Sequence, residues 1–305
     1  MGVVLDELRV SVYVPQRRGL SACLDVTRAA EQRGWAGAWF GEPGLAADPL
    51  VTAAAGAAAT TTLPIGVGLV NVWRMLPAAL ASAVRSLADL TAGRLTVTLG
   101  PWWEPLASQA GARRHQPVRA MVDATLIMRR LLNGETVTHH GEVFRVTDAT
   151  LDRDPVAVPL LWGAMRPRMT AAAGQHSDGV FVGYGATADL VRDVIRATRA
   201  AAEGAGRDSD RLRFPAIVLV DVDEDGDRAV ERFRHMMETV DALRDATLPP
   251  GPVAAADAAA RAAIGTREQV RNRLNEYLEA GADELVLLAI HSDPVTVIDN
   301  ILARS

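Results

Sequence analysis

Apolar residues along this 305-residue chain fall into short, nearly continuous runs separated by helix-like stretches. Leu8–Val14 (LRVSVYV) is rich in β-branched residues and ends at Pro15. Ala36–Phe40 (AGAWF), Ile65–Val70 (IGVGLV) and Arg94–Leu99 (RLTVTL) follow, the last stopped by Gly100-Pro101. Val158–Trp162 (VPLLW), Gly179–Val182 (GVFV), Phe214–Val222 and Glu284–Ile290 (ELVLLAI) continue the series. Short apolar runs bounded by turn residues predict strands buried on both faces, the pattern of a parallel sheet covered by helices. The helices between them are marked by their ends. Ser21 is the expected N-cap of the first, which Gly34 stops, and Asp48-Pro49 opens an alanine-rich one running to about Thr60. Pro77–Leu90, Arg168–His176, Ala188–Glu203 and Asp227–Arg244 are further helices. Thr266 caps another, with Glu268 in its first turn where the helix dipole favours a carboxylate, and Asp293-Pro294 opens the last. The rhythm breaks once, after the fourth strand, where a helix over Val118–Leu132 precedes a hairpin of Thr136–His139 and Glu142–Val146 turning at His140-Gly141. The Pro/Ala-rich stretch Leu248–Ala260 reads as a loop.

Eight such strand–helix units predict a single (β/α)8 TIM barrel over residues 1–305, with the helix and hairpin as an insert between strands 4 and 5. A doubly wound sheet would place a GxGxxG turn after the first strand, and Pro15-Gln16-Arg17-Arg18-Gly19 does not fit it.

Composition narrows the chemistry. All 32 basic residues are arginine against 37 acidic ones, for a net charge of -5. The missing lysine excludes Schiff-base catalysis and a P-loop, and the acidic balance without basic runs argues against nucleic acid. A single cysteine, Cys23, excludes an intramolecular disulfide and a CxxC metal site. No histidine pair has metal-ligand spacing, so no metal is expected. The alanine-rich run near Ala53–Ala59 is far short of the ~20 residues that span a bilayer, and nothing at the start reads as a signal sequence. A cytoplasmic protein acting on a small molecule is the remaining expectation.

In a barrel of this kind the site lies at the C-terminal ends of the strands. Trp73, Trp102, Trp103 and Trp162 fall at or just past strand ends, Trp39 near the end of the second, and Tyr184 after the sixth. These rings either wall a flat apolar ligand or fill the barrel top. Gly66, Gly68, Gly100, Gly163, Gly183 and Gly185 let a backbone or ligand approach closely there. The run Gly183-Tyr184-Gly185-Ala186-Thr187 ends at a helix start that could receive a phosphate, or is simply a flexible turn. Glu42 and Glu104 are the candidate acids, with Arg74, Arg166, Arg168 and His291 nearby; Glu42 could instead pair with an arginine.

The chain resembles the luciferase-like monooxygenase family of flavin- and deazaflavin-dependent barrels. The matching stretches are Ala29-Ala30-Glu31, Gly34-Trp35, Ala38-Trp39-Phe40 and Glu42, then Leu63-Pro64-Ile65-Gly66-Val67-Gly68-Leu69-Val70-Asn71. Leu131-Leu132-Asn133-Gly134-Glu135, Ser177-Asp178-Gly179 and Ala280-Gly281-Ala282-Asp283-Glu284 extend the match to nearly the whole chain. The resemblance is strongest to members using coenzyme F420 and implies hydride exchange with an apolar or conjugated substrate; the alternatives are an FMN-dependent two-component monooxygenase and a catalytically silent flavin-binding barrel. It implies a bulged third strand at Gly68-Leu69-Val70, with a cis peptide at Gly68–Leu69, behind the ring. It also places Gly100 beside the ring and Gly163-Ala164-Met165 and Gly183-Tyr184-Gly185 beside the phosphate tail. Substrate would lie among Trp39, Trp73, Trp102, Trp103 and Trp162. A homodimer through the barrel's flank is implied as well. Many members carry a histidine after the acid ending the second strand; here Glu42 is followed by Pro43.

Overall fold

The computed structural model describes residues 9–42, 44–104, 106–183, 185–239 and 254–303. The first half alternates β1 (Val10–Tyr13), α1 (Leu20–Gln32), β2 (Gly37–Phe40), α2 (Pro49–Ala58), β3 (Ile65–Asn71), α3 (Pro77–Thr91) and β4 (Leu95–Gly100). After β4 come α4 (Leu106–Gln109), α5 (Pro117–Leu132) and an antiparallel pair, β5 (Val137–His140) and β6 (Arg145–Ala149). Alternation resumes with β7 (Leu160–Gly163), α6 (Pro167–His176), β8 (Val180–Phe181), α7 (Ala188–Gly204), β9 (Pro215–Val222) and α8 (Gly226–Thr239). The chain closes with α9 (Ala255–Ala260), β10 (Ala263–Gly265), α10 (Arg267–Glu279), β11 (Glu284–Ala289) and α11 (Pro294–Leu302).

One parallel sheet runs in the order β10-β9-β11-β1-β2-β3-β4-β7-β8. It curls until β8 meets β9: Val180 and Val182 donate backbone N–H groups to the carbonyls of Arg213 and Pro215 at 2.9 Å, and Ile217 donates back to Val182 at 3.0 Å. β10 departs from expectation. Its three residues join the C-terminal end of β9, Ala263 opposite Val220 and Gly265 opposite Val222. So short a strand has no periodicity of its own, and the neighbouring edge creates it.

Strand alternation sorts the side chains into two sets. Ala38, Phe40, Leu160, Trp162, Val180, Val182, Val218 and Val220 join the main core against the helices. Trp39, Leu161, Phe181, Ile217 and Val286 form a separate cluster in the enclosed interior, with Tyr13, Leu69 and Leu288 packed against it. Nearer the strand starts, the buried Glu284 carboxylate accepts from Ser11 Oγ at 2.6 Å, Trp39 Nε1 at 2.7 Å and Arg213 NH2 at 3.1 Å. A buried charge is tolerable only when paired and hydrogen-bonded in this way.

The first helix begins at Leu20, with Gly19 (φ 89°) rather than Ser21 at its N-cap. The hairpin turn lies two residues later than expected, because Asp123 of α5 accepts the Val143 and Phe144 N–H groups and His139 Nε2 sits 2.9 Å from the same carboxylate. Within the predicted loop, residues 255–260 are helical; residues 248–253, like 240–244 of the predicted seventh-unit helix, lie outside the described residues. Among the described residues no helix is long and apolar enough to cross a membrane.

Glu31, in the last turn of α1, ties the α2–β3 loop down. Its Oε1 accepts from the N–H groups of Thr61 and Thr62, each at 2.7 Å, and of Leu63 at 3.1 Å. The Thr62 bond and its neighbours hold its carboxyl from the usual 4.5 down to about 2. A depressed folded-state value contributes stability above pH 4.5 that is lost as pH falls towards 2. Glu31→Gln should therefore cost about 1–2 kcal/mol at neutral pH, discounted for its exposure. Urea unfolding at stepped pH should show that deficit shrink below the ordinary carboxylate range; a pH-independent deficit would refute the ionic origin.

Candidate active site

At the C-terminal ends of the strands the third one is irregular. Gly68 pairs with Thr98 but Val70 pairs with Leu99, so Leu69 is an extra residue bulging from β3, and the Gly68–Leu69 peptide is cis. A bulge re-aims a side chain. The Leu69 side chain crosses the mouth of the curled sheet over two neighbouring strands. A Cβ on Gly163 would meet Leu69 Cδ2 at 2.5 Å, and one on Gly100 would meet Cδ1 at 3.0 Å. Gly68 itself leaves room for the Trp39 ring, 2.9 Å from where its Cβ would stand. Val70, by contrast, turns outward into the helix-facing core. Leu69 is partly exposed, so it forms an apolar floor above the Trp39–Phe181 stack, whose centroids are 4.7 Å apart.

Beside this floor a polar group is built from β2, β3 and the loops after them. Glu42 follows β2, its side chain 1% exposed. Its Oε2 accepts from Asn71 Nδ2, and its Oε1 accepts from Arg74 NH1. Arg74 Nε also donates to Asp48 Oδ2 at 3.0 Å, while Asp48 Oδ1 caps α2 by accepting from Leu50 N at 2.9 Å. Asn71 Oδ1 accepts the backbone N–H of Trp102. Burial pushes the Glu42 carboxyl up from its ordinary value, against the pull of the Asn71 amide and the Arg74 guanidinium. A buried carboxyl with a raised value at a strand end can hold a proton that a water-exposed one would release. Asn71 closes a family-matching stretch and Asp48 marks a helix start, but nothing in the sequence marks either as belonging with Glu42; only the fold brings them there.

The five tryptophans do not form one wall. Trp39 points into the interior and Trp162 points outward, fully buried, with its Nε1 donating to Thr125 Oγ1 of α5 at 2.8 Å. Adjacent strand residues face opposite sides, and here Gly163, not Trp162, turns to the mouth. Trp73 and Trp102 pack together with Leu106 and Ala107 in a small cluster. Among the described residues the buried Trp73 indole N–H has no partner, while the Trp102 indole faces the Glu42 carboxylate and helps to hold it ionised. Trp103 is exposed. Glu104 is also exposed; its Oε2 accepts from Ser108 Oγ at 2.7 Å and Ser108 N at 3.2 Å. His291 is exposed after β11.

Gly163, Ala164 and Met165 follow one another out of β7, and Met165 Cε lies 3.3 Å from where a Gly183 Cβ would stand. Gly185 (φ 80°) has its carbonyl fixed by Arg261 NH1 at 3.0 Å, and Tyr277 Oη donates to the Ala186 carbonyl at 2.7 Å. Tyr184 lies outside the described residues. The start of α7 is capped by Thr187 and carries Asp189, whereas α6 opens between Arg166 and Arg168 with no acid in its first turn. A negative group is therefore better accommodated at α6. Among the described residues no group of His, Cys, Asp and Glu is placed to hold a metal ion.

Gly163→Ala is expected to displace Leu69 and destabilise the fold by about 1–3 kcal/mol through overpacking. Pairing it with Leu69→Ala should recover most of that loss in thermal unfolding. Two independent, additive losses would show that the two sites do not touch.

A family model described as luciferase-like monooxygenase matches residues 3–284. The chain is 27% identical over 250 residues to 5,10-methylenetetrahydromethanopterin reductase of Archaeoglobus fulgidus, covering 79% of this chain and 73% of that protein. It is 30% identical over 301 residues to the F420-dependent hydroxymycolic acid dehydrogenase of Mycobacterium tuberculosis, covering 89% and 80%. A solved F420-dependent secondary alcohol dehydrogenase, in complex with an F420-acetone adduct, shares the fold with a TM-score of 0.82 at 21% identity, covering 96% of each chain. The matched residues run through β3, its bulge and Glu42, and on this ground the chain belongs to the luciferase-like monooxygenase family.

Proposed function

We propose that this protein is an F420-dependent oxidoreductase that exchanges a hydride between the deazaflavin and an apolar or conjugated small molecule. The observation that carries the reading is the Leu69 bulge, an apolar floor bordered by Gly100 and Gly163 with a buried carboxyl beside it. A flat heterocycle needs such a platform, with no charged side chain beneath it. The related F420-dependent hydroxymycolic acid dehydrogenase supports the choice of F420 over FMN. The bound deazaflavin would supply the hydride chemistry; the protein's part is to orient, to exclude water and to hold a proton.

In this reading the curled sheet is a complete (β/α)8 barrel in one domain, and the α5–hairpin segment is its insert. Leu69, with Gly68 and Val70 on either side, backs the ring. Gly100 borders it, and Gly163-Ala164-Met165 with Gly183, Tyr184 and Gly185 take the phosphate tail, α6 contributing its positive end. Glu42 is the residue that holds a proton next to the reacting atoms. Trp73, Trp102 and Trp103 face the substrate side, while Trp39 and Trp162 support it from within the packing. Glu104 acts at the start of α4, through Ser108. The protein forms a homodimer through the flank carrying α2, whose Val51 is 65% exposed.

Fluorescence titration should show binding of F420 and not of FMN. FMN binding alone would overturn the cofactor assignment. With F420 bound, Glu42→Gln should lower kcat by about 10²–10⁴-fold while leaving cofactor affinity nearly intact. An unchanged kcat would return Glu42 to a structural role as the partner of Arg74. Sedimentation should give the mass of a dimer.

A further inference from the structure

We propose that Asn71 is a positioning residue whose amide couples the proton on Glu42 to the backbone turn that presents Trp102. The proposal rests on the reading of Glu42 as the proton-holding group of the mouth.

Asn71 ends β3, is fully buried, and is bonded at both ends of its amide, Nδ2 to Glu42 Oε2 and Oδ1 to the Trp102 N–H. An amide offers a donor on one arm of its fork and an acceptor on the other; aspartate would present two acceptors and leucine neither. The turn it holds is an unusual one. Trp102 has φ 47°, a region that costs a bulky side chain about 1–3 kcal/mol.

With Glu42 ionised, both of its oxygens accept, one from Asn71 and one from Arg74. A proton placed on Oε2 makes that atom a donor facing the Asn71 NH2 group. Where that hydrogen points at the amide, two donors meet; otherwise the oxygen keeps a lone pair but accepts more weakly than a carboxylate. A half-turn of the amide about its Cβ–Cγ bond brings Oδ1 to Glu42 and relieves the conflict. The same rotation withdraws Oδ1 from Trp102 and sets an NH2 group against its N–H. Trp102 then loses the bond that holds its turn. The other oxygen, Oε1, offers no comparable route, because a guanidinium has no acceptor and Arg74 is also held by Asp48. Gly100 leaves space for the rotation, since a Cβ there would stand 3.2 Å from Asn71 Oδ1.

Among the described residues few charged and titratable groups surround Glu42, and the Trp102 indole N–H also faces it. Arg74 faces it from the β3–α3 loop, and Asp48 reaches it through Arg74 from the start of α2. The Tyr13 hydroxyl lies against the neighbouring Gly41, and Glu104, across the β4 loop, is exposed and bonded to Ser108. Proton uptake by Glu42 thus moves an aromatic residue on the proposed substrate side.

The test uses the cofactor-free protein, titrated from about pH 4 to 9. Tryptophan fluorescence follows Trp102, and carboxyl NMR follows Glu42. The wild type should show a tryptophan transition at the Glu42 midpoint, absent from Glu42→Gln and from Trp102→Phe. In Asn71→Leu, Glu42 should still titrate, its midpoint raised by about one pH unit because the charged form has lost a donor, while the tryptophan transition loses most of its amplitude and keeps only what the indole beside Glu42 reports directly. Asn71→Asp, of the same shape, serves if the leucine variant does not fold: it keeps an acceptor for Trp102, repels ionised Glu42, and should likewise diminish the coupled transition. A Glu42 titration that leaves Trp102 unmoved in the wild type, or a coupled transition of undiminished amplitude in Asn71→Leu, overturns the proposal. Failure of the proton-holding reading is separately visible as unchanged kcat in F420-loaded Glu42→Gln.

Discussion

The Leu69 side chain lies across the mouth because two neighbouring strands have no Cβ where it passes. Gly163 and Gly100 belong to β7 and β4, and a methyl group on Gly163 would come within 2.5 Å of the leucine. The bulge supplies the other half of the constraint, since an extra residue in β3 aims this side chain inward while Val70 returns to the helix-facing core. Glycines that look like room for a ligand are thus first room for a leucine. The proposed ligand surface is the layer that this packing produces. The layers below follow the same logic, with the Trp39–Phe181 stack under Leu69 and the Glu284 cluster under the stack.

Two buried carboxylates mark the two ends of this enclosed column. Glu284 sits towards the strand starts and takes bonds from Ser11, Trp39 and Arg213, all rigidly placed by strands or their flanks. Glu42 sits at the strand ends, and its partners come from the end of β3 and the loop after it. The first arrangement gives every oxygen a donor and orients an indole. The second also gives every oxygen a donor, but one donor is an amide that can turn. The contrast suits a structural base and a working mouth.

Much of the fold was legible because it depends on local chemistry. Short apolar runs, Asp48-Pro49 and Thr266 at helix starts, and Gly34 at a helix end place α1, α2, α10 and their strands to within a few residues. What escaped depends on partners distant in the chain. Asp123 moves the hairpin turn by bonding Val143 and Phe144, and β10 exists because the edge of β9 receives it. Trp39 and Trp162 were legible as strand-end aromatics, yet the face each presents follows from the register of its strand, and one residue of shift reverses it.

By itself the sequence determined the alternation of the eight main strands with their helices and the glycines of the mouth, because each rests on residues adjacent in the chain; the bulge at Gly68-Leu69 was implied by the family resemblance. Tertiary structure alone decided that Asn71 and Arg74 meet Glu42, and that Trp39 and Trp162 serve as packing. Those outcomes depend on how β2, β3, β4 and the loops beyond them converge, and a linear pattern carries no information about which side chains meet across a curled sheet.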